Sequence, residues 1–394
     1  MMTLFDYDFQ RTETRWKLQN ESEYNYLNNS ARPGIEAFRN VAENWFQKYP
    51  KEGRKDLRSR FRSQDDIPHA GAFFELFLHE IFTKMGFLVN IHNKEGKKPD
   101  FLFSKENYSL FYLEGTVINC RKDFDLHNNK VIAQVYDSIN NINSPNFFLW
   151  VRIEGTISSA PSVRKERIKI ERWLENLDPD NYYKFQKSAD IYKLPIYKWE
   201  FQGSIIQLIA VAKPPCLRGK QGIRPIEAYL PDGVKQIDNA PMIKRSISDK
   251  AGRYGVFDIP YIIATNILGI FPDHTDVVDA LFGQEAVRIR NSEGVDEEVL
   301  VRCKNGVFIG PKGPQNTRVS AVLVFFDLNP FNLASNQPVL YHNPWASKPL
   351  LLNEFPFDQV VYTSNFNQIP AKISLGNLLD LPTPWPIPDD RDST

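Results

Sequence analysis

The chain is expected to fold as an α/β protein with a mixed central sheet flanked by helices, followed by an α+β C-terminal extension. Three observations carry that expectation. An amphipathic helix is written over Pro68 to Gly86, two β-rich runs flank a polar turn between Pro99 and Val117, and the order from Pro68 to Gly155 is helix, strand, strand, strand, helix, strand. Strands interleaved with helices over so short a span predict a sheet covered by helices.

Residues 1–66 are polar and aromatic, with a helix expected over IEAFRNVAENWFQKYP, where Ile35, Phe38, Val41, Trp45 and Phe46 recur at helical spacing up to Pro50. KEGRKDLRSRFR then concentrates Arg54, Lys55, Arg58, Arg60 and Arg62, which is either a solvated helix face or a phosphate-contacting surface. In the helix from Pro68, the residues Phe74, Phe77, Leu78, Ile81, Phe82 and Met85 form the apolar stripe, and Gly86 is a natural stop. Glu75 lies beside that stripe, where a carboxylate needs a partner or a route to solvent. Phe87 to His92 reads as a strand, NKEGKK as a turn, and KKPDFLF and LFYLEGTVI as a hairpin around SKENYS. NKVIAQVYDSINNI carries the stripe Val131, Val135, Ile139 and Ile142, with Lys130 and Gln134 on one polar flank, and NFFLWVRIEG is a further strand.

Downstream, SVRKERIKIERWLENL reads as a basic helix and IYKWEFQGSIIQLIAVAK as a hairpin. PPCLRGKQGIRP suggests a boundary near residue 214. IKRSISDKAGRYG reads as a helix leading into the strand PYIIATNIL, DVVDALFG as a short helix, and VSAVLVFF and PVLYHNP as strands. The expected organisation is an N-terminal helical region with a basic segment (1–66), a core (67–214) and an α/β extension packed on it (215–394) that extends the same sheet.

With 394 residues, 42% hydrophobic and 24% charged, the chain has the composition of an ordinary globular protein. Its net charge is zero, so any contact with a polyanion must rest on local basic patches. Cys120, Cys216 and Cys303 have no metal-binding or redox spacing, which fits a reducing cytoplasm, and no membrane span or signal peptide is expected. The histidines form no HxH or HExxH pattern, there is no Gly-x-Ser-x-Gly elbow, and FIGPKGPQNTRVSA lacks the ending of a phosphate-binding loop. Tyr341 to Trp345 forms a polar and aromatic cluster, expected as a structural corner.

The chemistry concentrates in the hairpin. Alternation puts Tyr112, Glu114 and Thr116 on one face of its second strand, and Asp100 starts the strand beside it. Two carboxylates that close repel unless a cation lies between them, and a divalent metal is the expected one.

The order of elements, Glu75 on the first helix, Pro99-Asp100 opening one strand and Glu114 two residues before Thr116 on the next resemble the PD-(D/E)XK nucleases, the restriction-endonuclease-like superfamily. FFELFLHEIFTKMGF is similar to the first core helix of type IV restriction endonucleases, with a Phe-Glu pair ahead of a Met-Gly and then a strand. The resemblance covers Pro68 to Gly155. It implies a restriction-endonuclease-like core and a Mg²⁺- or Mn²⁺-dependent endonuclease acting on DNA, with RNA the second choice, in defence against foreign DNA or in repair. Asp100 and Glu114 would hold the ion and Glu75 would anchor a water or a second ion. Thr116 stands where the family carries a water-orienting lysine, and a hydroxyl supplies no positive charge. Lys130 on the following helix is the expected substitute, Lys98 the next, with Gln134 able to help position water. A catalytically inactive nuclease-fold binding or scaffold protein is the alternative expectation, and a homodimer or a partner subunit that supplies DNA recognition is a further one.

Overall fold

In the computed structural model the chain packs into two compact units, Met1–Glu13 with Ser22–Arg121 and Ile237–Ile387, and Thr14–Glu21 with Lys122–Gln236 and Pro388–Thr394. The structure describes residues 2–91, 98–105, 108–120, 129–159, 163–186, 193–220, 223–230, 238–269, 272–292, 295–351, 355–363 and 366–388. The first unit opens with α1 (Glu23–Asn29), α2 (Pro33–Lys48), α3 (Arg54–Phe61), α4 (Asp66–Lys84), β1 (Leu88–Ile91), β2 (Phe101–Lys105) and β3 (Tyr108–Asn119). The second unit contributes α5 (Asn129–Asn140), β4 (Phe147–Glu154), α6 (Val163–Glu175), α7 (Pro179–Gln186), β5 (Ile196–Phe201), β6 (Ser204–Ala212) and β7 (Ile226–Leu230). The chain then returns to the first unit with α8 (Ala240–Gly252), β8 (Tyr261–Leu268), α9 (His274–Phe282), β9 (Glu285–Ser292), β10 (Val295–Arg302), β11 (Ile309–Gly310), β12 (Gly313–Pro314), β13 (Ala321–Phe326), β14 (Val339–His342), β15 (Asp358–Tyr362), β16 (Phe366–Ile369) and α10 (Leu375–Leu378).

The first unit is built on an eight-stranded mixed sheet in the order β1-β2-β3-β8-β13-β14-β15-β16. β1, β2 and β3 are antiparallel, and β3, β8 and β13 are parallel neighbours. The central strands are apolar on both faces, as strands buried between two helical layers must be. Ile262 and Ala264 of β8 and Leu323 and Phe325 of β13 join one core with Phe74, Phe77, Leu78 and Phe82 of α4. Tyr261, Ile263, Ile267, Val322 and Val324 join the opposite core with Ile243 and Ile247 of α8 and Val277 and Leu281 of α9. α4 begins at Asp65, whose side chain accepts from the Ile67 N–H, and stops before Gly86, which sits at φ +83°. The stripe read from sequence is thus the face that covers the sheet.

The second unit has its own four-stranded sheet, β5-β6-β4-β7, with a core of Val135, Ile139, Leu149, Val151, Ile170 and Leu208. Here the structure corrects the expected organisation. The run 67–214, expected as one body, is divided after residue 121, because β3 takes β8 as its parallel neighbour while β4 pairs with β6 and β7. Residue 214 is no boundary either, since β7 beyond it joins the sheet of β4. From α8 onward the chain extends the sheet of β1 to β3. Its strand YIIATNIL, apolar at nearly every position, fits the two-sided burial at the centre of that sheet, whereas the ends of β3 alone do not specify which strand will lie beside them.

Candidate active site

β2 and β3 pair as far as Phe101 opposite Leu113, whereas β3 continues along β8 to Asn119 opposite Leu268. Beyond Leu113 one edge of β3 has left its strand partner. The Gly115 N–H on that edge donates to Asp100 Oδ2 at 2.9 Å, so a side chain satisfies a backbone donor that the ladder leaves behind. The Asp100 N–H in turn donates to Glu114 Oε2 at 3.3 Å. The two acids are therefore locked to each other through the backbone, around the edge that β2 has left.

That edge floors a cavity of about 450 Å³, whose lining includes Arg60, Glu75, Lys98, Asp100, Glu114, Thr116, Lys250 and Arg253. Glu114 is only 1% exposed and accepts from three side chains. Lys250 Nζ lies 2.6 Å and Arg253 Nη1 3.2 Å from Oε1, and the Tyr254 hydroxyl donates to Oε2 at 2.8 Å. Lys250 lies in the last turn of α8, and Arg253 and Tyr254 follow three and four residues on, a spacing that turns all three to one side. Burial, then the hydrogen bond to Glu114, raises the Tyr254 phenol above its ordinary range, so it remains a donor at neutral pH. Asp100 is pushed up to about 7, first by burial, then by the negative charges of Glu114 and Glu75. Crowded carboxylates of this kind are stabilised by protonation or by an added cation.

Glu75 reaches the same cavity from α4 with both oxygens engaged. The Tyr49 hydroxyl donates to Oε1 and Arg60 Nη2 to Oε2, each at 2.6 Å. Burial, then Glu75, raises the Tyr49 phenol far above its usual range, which keeps that donor in place as well.

The donor set fits a metal of the Mg²⁺ type in part. Such ions take one or two carboxylates and complete their shell with water and phosphate oxygens, which Asp100 and Glu114 at one cavity satisfy. Glu75 is turned to Tyr49 and Arg60, one on each oxygen. Among the described residues no group of three or more His, Cys, Asp or Glu is arranged as metal ligands.

Thr116 and the exposed Lys98 line the cavity as well. Lys130 opens α5 in the second unit, but its side chain lies outside the described residues; Gln134 is exposed on the same helix. The basic segment resolves into two kinds of residue. Arg58 and Arg62 donate to the carbonyls of Thr3 and Leu4, and Arg54 to that of Tyr49, so these three fasten neighbouring segments, while Arg60 alone of the group lines the cavity. Tyr341 to Trp345 is a packed corner, with the Tyr341 hydroxyl 2.7 Å from His274 Nδ1 and His342 Nε2 2.8 Å from Gln359 Oε1.

Lys250, Arg253 and Tyr254 on the cavity wall, and Tyr49 behind Glu75, are the site residues that sequence reasoning passed over. The only local signal was Lys250-x-x-Arg253-Tyr254 at a helix end, which also suits an ordinary basic C-terminus. No helix among the described residues is long and apolar enough to cross a membrane. Comparison of the chain with protein-family models, curated proteins and solved structures returned no match.

Proposed function

We propose that the protein is a metal-dependent nuclease that hydrolyses phosphodiester bonds in DNA, with a core of the restriction-endonuclease-like kind. The observation that carries this reading is the pairing of Asp100 and Glu114 at the edge of β3 that β2 has left, with Lys250 in contact with Glu114. A Mg²⁺ or Mn²⁺ ion, when bound, supplies Lewis acidity and a water of lowered pKa. Asp100 and Glu114 would hold that ion. Lys250 brings to Glu114 the positive charge that Thr116 does not provide. It takes the part expected of Lys130. Tyr254 fixes the rotamer of Glu114 by donating to Oε2, and the Gly115 N–H fixes Asp100. Among the described residues, the cavity is lined by four cationic side chains, Arg60, Lys98, Lys250 and Arg253, against three carboxylates, Glu75, Asp100 and Glu114. Its surplus is positive, which favours an anionic ligand.

The test is incubation of purified protein with plasmid DNA and Mg²⁺ or Mn²⁺. Cleavage that disappears in Asp100→Ala is expected, and a protein that cuts neither DNA nor RNA, with Asp100→Ala no different, ends this reading. A second reading, a nuclease-fold scaffold without catalysis, is favoured by one observation: Lys250, Arg253 and Tyr254 already engage both oxygens of Glu114. Calorimetry with Mn²⁺ separates the two, because only the first requires an ion at Asp100 and Glu114.

A further inference from the structure

We propose that Arg60 is a phosphate-binding side chain of this cavity, and that Glu75 is its positioning residue rather than a participant in metal binding. The inference rests on the reading of the cavity as a nucleic-acid site and assigns roles within it. Arg60 projects from α3 and is held from two sides. Its Nε donates to Asp56 Oδ2 at 2.9 Å, one helical turn away, and its Nη2 lies 2.6 Å from Glu75 Oε2 and 2.9 Å from Asp56 Oδ2. No described hydrogen bond uses Nη1, so its N–H groups remain as donors on a guanidinium whose plane is already fixed. A fixed fork loses less freedom on meeting a phosphate than a mobile lysine does.

Glu75 is the residue that fixes it. The buried Tyr49 hydroxyl anchors Oε1 and leaves Oε2 for Arg60, so the carboxylate forms a relay from the core to the cavity wall. Asp100 and Glu114 are tied directly to each other at the strand edge, and an ion of the Mg²⁺ type is content with two carboxylates, so it needs no oxygen of Glu75. The wall beside it is open at Gly71. Gly71, on α4 between Ile67 and Glu75, lines the cavity, and a Cβ placed there would meet nothing within 4 Å.

The test uses the full-length protein, a short fluorescein-labelled DNA duplex in EDTA, and separate calorimetric titration with Mn²⁺. Arg60→Ala is expected to weaken duplex binding by about five- to tenfold and to lower the slope of log affinity against log salt by about one, the signature of one lost phosphate contact. Glu75→Ala should act in the same direction. Glu75→Gln can still accept from Arg60 and pair with Tyr49, so it should retain most of the affinity. Gly71→Trp, which replaces a poor helix former, should block binding without unfolding the protein. All four variants should keep the Mn²⁺ affinity of the parent. A tenfold loss of Mn²⁺ affinity in Glu75→Ala, or duplex binding unchanged in Arg60→Ala and Gly71→Trp, overturns the inference. A parent protein that binds no duplex overturns both this inference and the nuclease reading, whereas one that cleaves DNA with Arg60→Ala indistinguishable overturns this inference alone.

Discussion

Lys250 Nζ sits 2.6 Å from Glu114 Oε1 although 136 residues separate them in the chain. Glu114 is nearly sealed from solvent, and Lys250 is one of its two cationic partners. If Lys250 supplies the cation that the strand itself lacks, Lys250→Met should lower metal-dependent DNA cleavage by about a hundredfold or more, in the range of a lost transition-state electrostatic contact. The fold should survive, because Arg253 and Tyr254 still reach Glu114, with a loss of roughly 1–3 kcal/mol in urea unfolding. Cleavage kinetics and denaturation of the same preparation check both parts, and unchanged cleavage would remove Lys250 from the mechanism.

Asp100 predicts a pH dependence of stability. Burial, and then its acidic neighbours, lift its folded-state pKa to about 7, above the value of an unfolded aspartate. Between those two values the folded state binds the extra proton, so the stability it contributes is complete at low pH and is lost as pH rises toward and through 7. Asp100→Asn should flatten that part of the profile and raise stability at pH 8 by on the order of 2 kcal/mol. Thermal unfolding from pH 5 to pH 8 in metal-free buffer measures it, and a parallel profile for the two proteins would contradict it.

His79 acts with the opposite sign. It is buried against the Tyr49 ring, with centroids 4.9 Å apart, and burial, then the charge of Lys48, pushes its pKa down to about 4. The unfolded state therefore takes up the proton first. The stability His79 contributes is complete above about pH 6.5 and is lost as pH falls toward 4. His79→Phe, which keeps a ring against Tyr49, is expected to shift the acid-unfolding midpoint to lower pH, as circular dichroism would report.

Phe82 is the hub of the core beneath the sheet. Its ring lies 4.6 Å from that of Phe103 and within 6.4 Å of those of Phe87, Phe111, Phe355 and Phe357, so α4, the hairpin strands and the late loop meet on one side chain. Phe82→Ala should cost about 3–5 kcal/mol, since so many rigid rings cannot close the void. Chemical denaturation gives the number, and a loss below about 1 kcal/mol would show that the core collapses around the gap.

Part of this architecture is written locally. The apolar stripe of α4 and the alternation of β3 can be read directly, because periodicity reports which face of an element is buried. Periodicity does not report what covers that face. The partner of β3 is β8, and the counter-ions of Glu114 follow from that pairing, since α8 leads directly into β8. That β4 lies in another sheet than β3 was illegible for the same reason: a sheet edge accepts any strand of suitable pattern, and the apolar YIIATNIL suits a central position. The β9–β10 hairpin was missed because its runs are rich in charge and its alternation, Val287 and Ile289 with Arg288 and Arg290, is short. Arg60 was visible only as one of five basic residues between Arg54 and Arg62. Its neighbours' ties to Thr3 and Leu4 carbonyls, which single it out, are tertiary facts.

The insertion of the second unit between β3 and α8 sets the timetable of synthesis. Glu75, Asp100 and Glu114 leave the ribosome first, the whole of residues 122–236 follows, and only then do Lys250, Arg253 and the central strands β8 and β13 emerge. A nascent chain arrested within the second unit therefore carries Glu114 with neither of its cationic partners, and lacks the middle of the sheet. The cavity wall is completed only once Tyr254 has been made, and protein quality control would meet a chain truncated before β8 as an incomplete sheet with an open edge.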